Sequence, residues 1–120
     1  MASVLIVEDN ADLREMYAEI LAMGGHVVSA AESALEALEA LEALAPVGPD
    51  VAVLDLGIAG GVDVVVSALR ALPGARPVAL ILASGARDLS ERAFALGAAC
   101  LQKPFGPEQL LAEVDRALAG

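Results

Sequence analysis

The run VAVLD, residues 51–55, holds four apolar residues followed by an aspartate. An apolar run without polar alternation is typical of a strand buried on both faces, and such strands form parallel sheets covered by helices. Four more short segments, most of them containing β-branched residues, have a similar character: SVLIV (3–7), HVVSA (26–30), VALILAS (78–84) and ACLQK (99–103). We therefore predict five strands in one sheet.

Longer segments of helical periodicity separate these strands, at residues 11–23, 33–44, 62–72, 87–96 and 107–118. Helix boundary signals support them, such as Asn10 before the first helix and Pro107 in the first turn of the last. Five βα units in succession predict a parallel sheet with helices on both faces, and they are too few to close an eight-stranded barrel. The predicted fold is an open, doubly wound α/β sheet, which binds ligands at the carboxyl ends of its strands.

Length and composition narrow the classes of function. We expect residues 1–120 to form one domain, and no apolar run approaches the roughly 20 residues of a membrane span. A formal net charge of −10 argues against direct binding to nucleic acid, whose phosphates select basic surfaces, and permits a divalent cation. The single cysteine excludes an internal disulfide and fits a reducing, cytoplasmic setting.

Polar residues end four of the five predicted strands. Strand one runs into Glu8 and Asp9, strand three ends on Asp55, strand four on Ser84, and strand five on Lys103, the only lysine of the chain. Because the carboxyl ends of parallel strands lie along one edge of a sheet, these residues should converge. Crowded carboxylates raise one another's pKa unless a cation joins them, and Mg²⁺ accepts protein carboxylates together with phosphate oxygens. We therefore predict a Mg²⁺ site at this edge.

Four segments, in this order and spacing, resemble the receiver domain of two-component response regulators: VLIVEDNADLRE, VAVLDL, LILASG and LQKPF. The resemblance covers essentially the whole chain and implies a flavodoxin-like (βα)5 fold with strand order 2-1-3-4-5. It also implies a phosphoacceptor domain that takes a phosphoryl group from a histidine kinase or a histidine phosphotransfer protein. Such a domain catalyses its own Mg²⁺-dependent phosphorylation and dephosphorylation and is not a conventional turnover enzyme.

The resemblance assigns a role to each residue of the predicted edge. Asp55 matches the phosphoacceptor, and Ser84 matches the hydroxyl that binds a phosphoryl oxygen after transfer. Glu8, Asp9, Asp55 and the backbone carbonyl of Gly57 match the Mg²⁺ ligands. Lys103 matches the lysine that pairs with the acceptor or its phosphate, a place where a compact ammonium fits better than a planar guanidinium. The resemblance further implies a cis peptide bond between Lys103 and Pro104.

The sequence departs from the family pattern at three positions. Ala59 stands where the family usually has a proline, and Asp63 stands where a glycine is common. Cys100 replaces a tyrosine or phenylalanine that moves on activation. Since a small buried cysteine offers no second packed position, we predict a muted conformational response to phosphorylation.

Other functions fit the residues less well. The main alternative is a receiver-like interaction module without phosphorylation, which a missing acceptor, metal or lysine position would favour, and none is missing. A flavin or nucleotide binder would need a Ser/Thr/Gly phosphate loop where the acidic EDNADL stands. A serine hydrolase is excluded because the segment around Ser84 lacks the G-x-S-x-G turn and His26 begins strand two at the opposite edge of the sheet. The sequence fits both a single-domain regulator and a part of a longer chain. It leaves the partner kinase, the pathway, the output and the oligomeric state open.

Overall fold

The computed structural model of the protein describes residues 2–74 and 76–120. Within these ranges five strands alternate with five helices. The strands are β1 (Ser3–Val7), β2 (Val27–Ala31), β3 (Val51–Asp55), β4 (Ala79–Ser84) and β5 (Ala99–Gln102). The helices are α1 (Ala11–Met23), α2 (Ala34–Leu44), α3 (Val62–Arg70), α4 (Leu89–Ala95) and α5 (Pro107–Ala119). All strand pairs are parallel and the order is β2-β1-β3-β4-β5, so the expected doubly wound 2-1-3-4-5 sheet is confirmed.

The sheet separates two apolar layers, because successive strand residues point to opposite faces. Helices α1 and α5 cover one face, where Ile6 of β1 and Val53 of β3 are buried. Helices α2, α3 and α4 cover the other face, where the neighbouring residues Leu5 and Leu54 are buried. β3 is buried at every position, as expected for the central strand of a sheet covered on both sides.

Most predicted boundaries hold to within one or two residues, and the differences have local causes. α3 ends at Arg70 instead of residue 72, because Leu72 precedes Pro73 and a residue before proline disfavours the helical conformation. α4 is shorter than the predicted 87–96 and is followed closely by Gly97 in the left-handed region, at φ 66°. His26 lies just before β2 and does not begin it. In the described ranges no helix combines the length and apolar character needed to cross a bilayer.

Candidate functional site

The side chains predicted to converge do lie at the carboxyl edge of the sheet. Glu8 and Asp9 follow β1, Asp55 is the last residue of β3, and Ser84 is the last residue of β4. β1 and β3 are hydrogen-bonded neighbours, so their ends bring these three acidic residues together. One carboxylate oxygen from each of Glu8, Asp9 and Asp55 lies within 4.8 Å of the other two.

Lys103 directly follows β5, the outermost strand of the sheet, and its side chain extends back to this acidic cluster. Its backbone N–H donates to the carbonyl of Ser84 at 2.9 Å, which holds the end of β5 beside β4. Its Nζ lies 2.6 Å from Glu8 Oε1 and 3.3 Å from Asp55 Oδ1. Both acidic residues are buried, with 2% of the whole Glu8 residue and 8% of the whole Asp55 residue exposed. The Lys103–Pro104 peptide bond is cis, as the resemblance implied.

Burial and proximity set the protonation of the cluster. Burial raises the pKa of the Glu8 carboxyl, and the hydrogen bond from Lys103 offsets this effect only in part. The hydrogen bond with Glu8 is the main influence that lowers the pKa of Asp9. Burial alone would lower the pKa of Lys103, but its contacts with Glu8 and Asp55 outweigh burial and raise it. One ammonium therefore faces three carboxylates, and the hard oxygens left over are suited to a divalent cation.

The start of α1 fixes the backbone around Glu8. The Asn10 N–H donates to Glu8 Oε2 at 3.2 Å, while the Asn10 side chain accepts from the N–H of Leu13 and caps α1. The Arg14 guanidinium donates to the carbonyl of Glu8 at 3.0 Å. The sequence predicted a helix boundary at Asn10 or Ala11, and the structure shows that Asn10 is the capping residue. The role of Arg14 was missed, because nothing in the sequence distinguishes it from an ordinary surface arginine.

The loop after Asp55 is held without the proline that the family usually has. The carbonyl of Ala59 accepts from the N–H of Ala34 at 2.9 Å, and Ser33 and Ala59 form an isolated parallel bridge. Gly60 has φ 90°, and a Cβ built on it would lie 2.8 Å from the Ala34 Cβ. The Gly57 backbone lies beside the acidic cluster, since a Cβ built there would lie 3.5 Å from Asp55 Oδ2. Contact with α2 therefore anchors this loop, residues 56–61.

Ser84 lies on β4, the neighbour of β3, and Cys100 lies on the edge strand β5. Ser84 Oγ accepts a hydrogen bond from the N–H of Ala86 at 3.0 Å. A hydroxyl that accepts in this way still has its proton to donate. Cys100 is half-buried, pairs in register with Leu82, and packs against the apolar layer of α2, α3 and α4.

The chain is similar to known response regulators over nearly its whole length. The response regulator receiver domain family matches residues 4–115. The virulence transcriptional regulatory protein PhoP of Salmonella typhimurium is 33% identical over 128 aligned positions, which cover 96% of this chain and 51% of PhoP. The chain thus spans about half the length of the curated relatives it matches.

Solved structures give the same result. The chemotaxis response regulator CheY4 of Vibrio cholerae superposes with a TM-score of 0.83 at 29% identity, over 98% of this chain and 99% of that one. NtrX from Brucella abortus superposes with a TM-score of 0.84 at 28% identity, over 98% of this chain and 27% of NtrX. With its parallel sheet of order 2-1-3-4-5 and a carboxylate cluster at the carboxyl edge, this chain belongs to the response regulator receiver domain family.

Proposed function

We propose that this receiver domain, residues 1–120, accepts a phosphoryl group on Asp55 from a phosphohistidine of a histidine kinase or histidine phosphotransfer protein. One observation carries the proposal: Asp55 ends a buried strand with its carboxylate beside those of Glu8 and Asp9 and within 3.3 Å of the Lys103 ammonium. The Asp55 side chain is 11% exposed, which leaves part of it open to a donor.

Glu8, Asp9, Asp55 and the backbone carbonyl of Gly57 would hold Mg²⁺ at this site. The donor set fits the ion, because all are hard oxygens and a single lysine leaves the three carboxylates incompletely neutralised. When bound, Mg²⁺ supplies positive charge that offsets the charge of the phosphoryl oxygens.

The protein's own residues have distinct roles in the transfer. An Asp55 carboxylate oxygen attacks phosphorus, and the P–O bond forms as the P–N bond to the donor imidazole breaks. The electron pair of that P–N bond stays on the imidazole nitrogen. Lys103, already beside Asp55, pairs with the negative charge that the phosphoryl group brings. Ser84 donates its free hydroxyl proton to a phosphoryl oxygen.

Intact-mass spectrometry with acetyl phosphate and Mg²⁺ tests the acceptor. The wild-type protein should gain the mass of one phosphoryl group, and Asp55→Asn should gain none while keeping its circular dichroism spectrum. Asp63→Asn makes the same change at an exposed carboxylate in the first turn of α3 and should be phosphorylated normally.

Two outcomes would contradict the proposal in different ways. Full phosphorylation of Asp55→Asn would place the acceptor elsewhere in the chain. A wild-type protein that gains no mass under any Mg²⁺ concentration would favour an interaction module that is not phosphorylated.

A further inference from the structure

Two aromatic rings stack on each other beside the site. Tyr17 of α1 and Phe105, two residues after Lys103, have ring centroids 5.0 Å apart and ring planes 20° apart. The chain has one tyrosine, two phenylalanines and no tryptophan, so two of its three aromatic rings meet here. The third, Phe94, is 88% exposed on α4.

The stack lies in the apolar layer that α1 and α5 cover. Tyr17 is 4% exposed, and Phe105 packs against the layer that α1 and α5 cover. Burial raises the pKa of the Tyr17 hydroxyl, which also feels the charges of Lys103, Glu8 and Asp55. Because Phe105 is only two residues from Lys103 along the chain, the stack can affect the position of Lys103.

The stack completes a closed set of contacts between Lys103 and α1. Arg14 of α1 holds the backbone of Glu8, and Glu8 Oε1 lies 2.6 Å from Lys103 Nζ. Tyr17, one turn of α1 after Arg14, holds Phe105 and with it the segment that carries Lys103. That segment follows an edge strand and has no regular secondary structure of its own between β5 and α5.

We propose that the Tyr17–Phe105 stack is a positioning element that holds Lys103 against Glu8 and Asp55 for phosphoryl transfer. This inference rests on the proposed function. A lysine side chain is long and flexible, so its contribution to the transfer depends on how well its backbone is fixed. The carboxylates that would hold Mg²⁺ lie at the ends of β1 and β3, and these two strands are joined by their own parallel pairing.

Tyr17→Leu, which keeps an apolar side chain but removes the ring, tests the inference. We expect phosphorylation by acetyl phosphate at saturating Mg²⁺ to slow about fivefold, in keeping with the strength of aromatic pairs. Tyr17→Phe keeps the ring and should restore the wild-type rate. Phe94→Leu, the same loss of a ring far from the stack, should leave the rate unchanged. Mg²⁺ affinity, measured by titration calorimetry, should be the same in all four proteins.

A double-mutant cycle with Lys103→Ala separates positioning from a general loss of packing. If the stack acts through Lys103, Tyr17→Leu should cause no further slowing in the Lys103→Ala background. A further fivefold loss there, or a wild-type rate for Tyr17→Leu alone, would overturn the inference. Should Tyr17→Leu melt at the assay temperature, Phe105→Leu is judged by the same criteria. A wild-type protein that is not phosphorylated contradicts the proposed function, whereas an additive cycle in a phosphorylated protein contradicts only the role of the stack.

Discussion

Replacing Lys103 by methionine should destabilise the metal-free domain at neutral pH and much less at acid pH. Methionine keeps a similar unbranched stem and removes only the ammonium. The Glu8 carboxylate, 2% exposed and 2.6 Å from Nζ, then loses its cation in a buried place. Removing one partner of a fully buried ion pair costs about 3–5 kcal/mol. The lower end applies here, since the Lys103 side chain is 21% exposed.

Protonation of Glu8 limits this loss. The folded state can remove the unpaired charge by taking up a proton, at a cost of about 1.4 kcal/mol for each pH unit above the ordinary carboxyl value of 4.5. That limit is about 3.4 kcal/mol at pH 7 and about 0.7 kcal/mol at pH 5. The pKa of Glu8 in the folded state already lies above 4.5, the ordinary value of the carboxyl. The buried Glu8 carboxyl therefore does not destabilise the fold below pH 4.5, and it lowers the free energy of unfolding increasingly as the pH rises through the folded pKa. We expect a loss of about 3 kcal/mol at pH 7 and less than about 1 kcal/mol at pH 5.

Urea unfolding followed by far-ultraviolet circular dichroism, without Mg²⁺, measures both values. Arg116→Met is the matched control, because Arg116 is 70% exposed and its ion pair with Glu113 lies on the surface. Exposed pairs contribute little, so this variant should stay within about 0.5 kcal/mol of wild type at both pH values. An equal loss for Lys103→Met at pH 5 and pH 7 would show that Lys103 does not stabilise the fold by neutralising Glu8.

Three further predictions concern the metal, the lysine and the response to phosphorylation. Mg²⁺ at ten times its dissociation constant should stabilise the wild type by about 1.4 kcal/mol, and the Tm of Asp9→Asn should no longer respond; an unchanged response would remove Asp9 from the ligand set. Lys103→Arg should slow phosphorylation by acetyl phosphate nearly as much as Lys103→Ala, since a planar guanidinium needs more room beside Glu8; a wild-type rate for the arginine variant would contradict this reasoning. Amide chemical shifts of the beryllofluoride–Mg²⁺ complex should differ little from those of the free domain over residues 87–102, because Cys100 is small; changes there as large as those beside Asp55 would refute a muted response.

The fold class could be predicted from local sequence because the strand patterns, the helix patterns and the helix boundary signals all indicate the same succession of βα units. Short apolar runs such as VAVLD alternate with helical segments, and the carboxyl ends of parallel strands must share one edge, so the convergence of Glu8, Asp55 and Lys103 followed from their positions alone. The strand order came from the resemblance, since periodicity carries no information on which strands are neighbours.

Contacts set by side-chain conformation were beyond the sequence. The Lys103 ammonium lies closer to Glu8 than to Asp55, a difference that depends on rotamers and burial. The stack of Tyr17 on Phe105 joins residues far apart in the chain, and neither belongs to a spacing that predicts the contact. The loop at Ala59 is likewise held by a contact with the start of α2, a segment distant in the sequence. The proline that the family usually has at this position would have been visible in the sequence, whereas this contact is not.

The hydrogen bond between α2 and the loop after Asp55 gives the protein a natural reporter. Ala34 occupies the first position of α2, where a backbone N–H has no partner within its own helix, so its protection from solvent depends on the carbonyl of Ala59. If the loop moves away, this one amide should exchange with deuterium while the amides deeper in α2 stay protected. Exchange at Ala34 can therefore follow the loop beside the proposed phosphorylation site in the unmodified protein, with no dye, label or substitution introduced near Asp55.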